Sequence, residues 1–164
     1  MVVALDCGTR TGWAITADFR PPEHGVEEFT LERGESPGMR FRRFGLWLEQ
    51  CLDVEAGDLV IFEQAHHRGG AATELCVGMT TRVMEFAASR YADYKAVHSG
   101  TLKRHITGKG NANKGAVIEA VNRRFNLQVT DDNEADALAM IAWYQDGMPE
   151  KARKKRKAVG GSDG

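Results

Sequence analysis

Two short apolar runs in this chain each end on an acid. Val2–Asp6 (Val-Val-Ala-Leu-Asp) and Leu59–Glu63 (Leu-Val-Ile-Phe-Glu) are continuous, not alternating. They therefore read as strands covered on both faces, which demands a layer on each side of one sheet. Side chains at such positions are expected to be apolar, because an unpaired buried charge costs several kcal/mol. One acid alone is explained as a hydrogen-bonded strand end. Two of them, on neighbouring strands about 4.8 Å apart, would converge, and like charges so close repel unless a cation neutralises them.

The rest of the pattern fits a mixed sheet with helices packed on it. Gly8 and Gly12 bracket a turn, and Trp13 to Thr16 reads as a returning strand, so the chain opens with a hairpin. Gly25 to Arg33 alternates weakly and predicts a third strand, at an edge. Ser36-Pro37-Gly38 announces a helix that carries Phe41, Phe44, Leu48 and Leu52 at helical spacing. Leu75, Met79, Val83 and Phe86 mark another helix, and Tyr94 to His98 a fifth strand. Thr101 to Lys114 is basic and glycine-containing. Val117, Val121 and Phe125 mark a helix, and Ala135 to Tyr144 a final one that is apolar almost all round.

The final helix supplies the remaining acids. Thr130-Asp131-Asp132-Asn133-Glu134-Ala135-Asp136 opens it. Asp131 or Thr130 is placed to cap it, with Glu134 at capping-box spacing. Favourable charges at a helix N-terminus account for Asp131, Asp132 and Glu134. They do not account for Asp136, which lies inside the apolar stretch. Asp132 and Asp136 are four apart and share a face. Asp6, Glu63, Asp132 and Asp136 together make a hard-oxygen donor set, suited to Mg²⁺ or Mn²⁺ and not to zinc. Four acids can hold two ions about 4 Å apart, an arrangement suited to phosphodiester hydrolysis.

Charge and composition narrow the classes. The 164 residues, 42% hydrophobic, suit one domain with a real core. No apolar run approaches the roughly 20 residues of a membrane helix. The N-terminus lacks a secretory pattern, and three widely spaced cysteines (Cys7, Cys51, Cys76) read as reduced thiols, so a cytoplasmic location and no membrane partner are expected. The net charge of −1 conceals an asymmetry. Residues 1–149 carry 16 bases against 21 acids, whereas residues 150–164 carry six bases against two acids. We divide the chain into a domain over 1–147 and a basic, disordered tail over 148–164. Within the tail, Lys151, Arg153, Lys154, Lys155 and Arg156 would add salt-sensitive affinity for nucleic acid, or merely solubility.

Four blocks, in order, bear a resemblance. They are Asp6-Cys7-Gly8-Thr9-Arg10-Thr11-Gly12-Trp13, Glu63-Gln64, Leu102 through Lys114, and Asp132-Asn133-Glu134-Ala135-Asp136. The chain resembles the RuvC family of Holliday junction resolvases, in particular its phage-type members, from Met1 to about Tyr144. The resemblance implies an α/β, ribonuclease-H-like fold: a five-stranded mixed sheet, its first three strands antiparallel, flanked by helices. It implies a homodimer that nicks a four-way DNA junction in paired strands, with Mg²⁺ or Mn²⁺ as cofactor. It makes Asp6, Glu63 and Asp136 metal-binding acids. The fourth falls on Asn133 in the cellular pattern and on Asp132 in the phage pattern, and the need for a carboxylate selects Asp132. Lys103 and Lys114 match lysines near the scissile phosphate, although either could be an ordinary surface lysine on DNA. Arg104, Lys109, Gly108 and Gly110 fit a phosphate-binding loop. Cys7 stands where cellular members have proline. After Glu63, where relatives carry an aromatic, this chain has Ala65-His66-His67-Arg68. His66 could stack on a base and Arg68 contact phosphate. The alternatives are a related nuclease acting on structured RNA and a non-catalytic junction binder. A nucleotide-cleft kinase or actin-like protein would need two such domains.

Overall fold

The computed structural model describes residues 1–17, 21–65 and 69–150. His66, Arg68 and the tail basic residues from Lys151 onward lie outside the described residues. Five strands form one sheet: β1 (Val2–Asp6), β2 (Arg10–Thr16), β3 (Glu23–Glu28), β4 (Leu59–Glu63) and β5 (Asp93–Val97), in the order β3-β2-β1-β4-β5. β1 pairs antiparallel with β2, and β2 with β3, while β1–β4 and β4–β5 are parallel. The expected mixed sheet is thus observed, with its two continuous apolar runs side by side at the centre.

Side chains alternate across a strand, and both central strands spend that alternation on two cores. Val2 and Ala4 of β1, with Ile61 of β4, face a cluster that includes Leu138 and Ile141. Val3 and Leu5, with Val60 and Phe62, face the other, which includes Phe44, Leu48, Met79 and Val83. The second cluster is closed by α1 (Gly38–Cys51) and α2 (Gly70–Ser89). The two helices approach closely where Gly78 meets Phe41; a Cβ on Gly78 would stand 2.4 Å from that ring. The first cluster is closed by α5 (Asp132–Gln145), and α3 (Ser99–Thr107) and α4 (Lys114–Phe125) pack on the far side of α5. Wedged between the sheet and that helix pair, α5 is buried from Ala137 through Trp143. That position explains its apolar circumference.

Local readings shifted in three places. The third strand is shorter than the expected 25–33, because Phe29 leaves the ladder to bury against Phe44 and Trp47 at 5.2 and 5.6 Å. Arg104, expected in a phosphate-binding loop with Lys109, lies instead in α3, which is capped at its start by His98 and stopped by Gly108 at φ 83°. Only residues 108–113 remain a loop, and Asn113 caps α4 behind it. Finally, Asp131 caps α5 as expected, but Glu134 does not complete a capping box; its carboxylate meets His24 Nδ1 at 2.6 Å.

Candidate active site

The sheet register places the first two acids. Leu5 pairs with Phe62 in the parallel ladder, so one further step sets Asp6 beside Glu63. By alternation both point to the α5 side, with Ala4 and Ile61. On its other flank Asp6 pairs with Gly12 of β2. Gly12 is where the helix arrives: a Cβ there would lie 1.9 Å from the Asn133 carbonyl oxygen and 2.7 Å from the Glu134 nitrogen. Glycine at this position lets the N-terminus of α5 rest directly on β2. Asp132 and Asp136 are thereby brought over the strand ends.

The four carboxylates line a single cavity of about 300 Å³, together with Cys7, Gln64, Cys76, Ser99, Lys103, Lys114 and Asn133. Asp6 keeps an opening to this cavity, but protein surrounds most of its carboxyl. Burial first, then the charges of Asp136, Glu63 and Asp132, push it well above the usual carboxylate range, against the pull of Lys114. Burial also pushes Asp136 up to about 6; Lys103 and Lys114 oppose the shift and Asp132 adds to it. Burial is thus the leading cause of both shifts, with the neighbouring acids adding to it. Lys114, the first residue of α4, is ion-paired with Asp132. Among the described residues, no three His, Cys, Asp or Glu side chains stand arranged as one ion's shell; Asp132 is turned onto Lys114 instead. The donor chemistry nonetheless fits a hard divalent cation. It offers carboxylates from three elements in mutual repulsion, and Cys7, whose thiol is held well above its ordinary value by burial and by Asp6, is a poor competing ligand.

Of the residues singled out in the sequence, the structure gathers Asp6, Glu63, Asp132, Asp136, Lys103 and Lys114 around that cavity. Arg104 sits in the last turn of α3 and Lys109 in the loop behind it, both exposed. Asn133 also reaches the cavity, but its amide donates to Asp131 Oδ1 at 3.2 Å. Sequence reasoning passed over Ser99, Gln64 and Cys76. It also missed Arg10, whose Nη2 donates to Asp131 Oδ2 at 2.7 Å across 121 residues of chain.

No family model matches the chain. It is 28% identical over 165 residues to the crossover junction endodeoxyribonuclease RuvC of Chlamydia muridarum, covering 94% of this chain and 96% of that one. The similarity to a RuvC protein thus runs nearly the full length of both chains. The RuvC of Renibacterium salmoninarum is 30% identical over 102 residues, 58% of this chain and 53% of that protein. The fold agrees with that of Thermus thermophilus RuvC at a TM-score of 0.68 and 19% identity, covering 89% of this chain and 96% of that one. A second structure, described as T. thermophilus RuvC in complex with Holliday junction substrate, gives a TM-score of 0.67 at 20% identity, with 88% and 93% covered. The cavity opens at the carboxyl ends of β1 and β4, flanked by α3, α4 and the start of α5. None of the helices among the described residues is long and apolar enough to cross a membrane.

Proposed function

We propose that this chain is a structure-selective DNA endonuclease that resolves four-way junctions by paired nicks, acting as a homodimer and requiring Mg²⁺ or Mn²⁺. One observation carries the reading. Carboxylates from β1, β4 and α5 share one cavity; burial holds Asp6 and Asp136 above the ordinary range, and neighbouring carboxylates add to the shift of each. Such a cluster is tolerable at neutral pH only with cationic help. The RuvC names and the junction-bound relative supply the substrate class.

Asp6, Glu63, Asp132 and Asp136 would hold the cation, with room in the donor set for a second. Bound there, a divalent ion makes water nucleophilic at neutral pH and stabilises charge on a departing oxygen. The chain's own groups do the rest. Lys103 and Lys114 stand on the rim and meet the phosphate whose negative charge grows during cleavage. Lys114 must leave Asp132 to do so. Arg104 and Lys109 follow the backbone away from the cut, positioning the strand without reading its sequence. His66, Arg68 and the tail residues Lys151, Arg153, Lys154, Lys155 and Arg156 extend that contact. α2 buries Met79, Val83 and Phe86 in its own core, so a dimer contact would use its opposite face, where Val77 is exposed.

The test is cleavage of a four-way junction, a flap, a plain duplex and structured RNA by the purified protein with Mg²⁺. Selective, symmetric nicking of the junction is expected, lost in Asp6→Asn with junction binding retained. Preference for RNA would assign a related nuclease instead. Junction binding without nicking in any metal would make the chain a non-catalytic binder.

A further inference from the structure

The first turn of α5 brings Asp132 to the cavity, yet it is gripped from outside the cavity. Arg10 opens β2 directly across from Glu28 of β3. Its guanidinium divides between two acids: Nη1 is paired with Glu28, and Nη2 donates to Asp131 Oδ2 at 2.7 Å. The other oxygen of Asp131 serves the helix. Oδ1 accepts the backbone N–H of Asn133 at 2.9 Å and of Glu134 at 3.2 Å. A helix cap needs only one oxygen. Asp131 spends the second on the sheet. Burial alone would raise its pKa, but the hydrogen bonds from Arg10 and the helix N–H groups outweigh burial and hold the carboxyl below its usual value. A second tie, His24 on Glu134, runs parallel at 2.6 Å. Neither Arg10 nor Asp131 lines the cavity.

We propose that Arg10 is a positioning residue for the acidic site. Acting through Asp131, it fixes how far Asp132 and Asp136 stand from Asp6. The inference rests on the reading that those carboxylates hold a divalent cation. Like charges crowded on one side of α5 push its N-terminus away from β1. Gly12 removes the steric barrier to close approach but supplies no attraction. The Arg10–Asp131 pair supplies it beside the His24–Glu134 contact, with a planar fork that spans two strands and a helix end at once. Half of the Arg10 side chain is exposed, so the pair contributes little to global stability. Its effect falls on geometry. Carboxylates held close against their repulsion bind a divalent ion more tightly than carboxylates free to part, and loss of such supporting bonds typically weakens metal binding about 10–100-fold.

Mn²⁺ titration by calorimetry tests this on the full chain, beside melting and junction binding in EDTA. Arg10→Gln is expected to weaken Mn²⁺ binding by at least about tenfold, with junction affinity in EDTA within about twofold of wild type. Asp131→Asn keeps a good helix cap but loses the charge that holds Arg10. It is expected to melt close to wild type and still show the Mn²⁺ defect, which covers the case in which Arg10→Gln folds poorly. Glu28→Gln leaves the Arg10–Asp131 bond and is expected to bind Mn²⁺ normally. Wild-type Mn²⁺ affinity in both Arg10→Gln and Asp131→Asn overturns the inference. So does a loss of junction binding with Mn²⁺ affinity intact, which would make Arg10 a DNA contact. A wild-type protein that binds no Mn²⁺ overturns the reading of the site itself, and the inference with it.

Discussion

Asp6 illustrates the tension between a residue's role and its cost to the fold. It is surrounded by protein and by three other acids, and its ionised form is disfavoured in the folded chain. Replacing it with Asn removes that penalty. We expect Asp6→Asn to raise the melting temperature in EDTA while reducing metal-dependent cleavage by at least about 100-fold. A lower melting temperature would show that the carboxylate is held by bonds that compensate its burial. Asp136 gives the pH dependence. Its folded value of about 6 lies above the ordinary 3.8, so the fold favours its protonated form. Stability from this group is complete below about pH 4, declines as pH rises through about 6, and is absent above. The expected loss is on the order of 2–3 kcal/mol. Melting curves in EDTA between pH 4 and 7 should fall less steeply for Asp136→Asn than for wild type, and Mn²⁺ should flatten the wild-type curve. Asp131 and Asp146 work in the opposite sense, since both are held below their usual value; their contribution is lost only as pH falls into the acid range.

At the scale of elements, the site exists because the first turn of one helix rests on one strand at a glycine, with no side chain between them there. Gly12→Ala places a methyl 1.9 Å from the Asn133 carbonyl, and backbone cannot yield as a side-chain tip can. We expect a loss of about 1–3 kcal/mol in urea unfolding and weaker Mn²⁺ binding, because the start of α5 must lift from β2. Gly45, in the middle of α1, has nothing within 4 Å of an added Cβ. There Gly45→Ala is expected to stabilise the chain by about 0.4–1 kcal/mol and to leave cleavage unchanged. The pair separates a glycine required by close approach from one that is merely permitted. The amphipathic spacing of α1 and α2 was legible in the sequence because their cores use widely spaced large side chains. α3 was hidden, because its polar, basic face left Leu102 as its one buried residue.

For the whole molecule, charge is distributed by function. The carboxylates gather in one cavity that Lys103 and Lys114 also line, while Arg104 on α3, Lys109 in the 108–113 loop and the bases of the tail are not among its lining residues. Under the proposed function those bases meet the polyanion, and the counterions they would release make affinity fall with salt. Deleting residues 151–157 should weaken junction binding and flatten the plot of log affinity against log salt, with nicking at saturating protein preserved. An unchanged slope would remove the tail from the DNA contact. Sedimentation of the protein with and without a junction measures the proposed dimer.

The sequence by itself determined the two-faced central strands, since continuous apolar runs admit no exposed side. It also determined the buried final helix and the four acids that do not fit an apolar environment. Local chemistry suffices for these, because hydrophobic periodicity and capping act within a few residues. Only the tertiary structure decided that Glu134 serves His24 and that Arg10 reaches Asp131. Those outcomes depend on how closely a helix end approaches a strand, and that distance is set by contacts between residues more than a hundred positions apart, which no local pattern encodes.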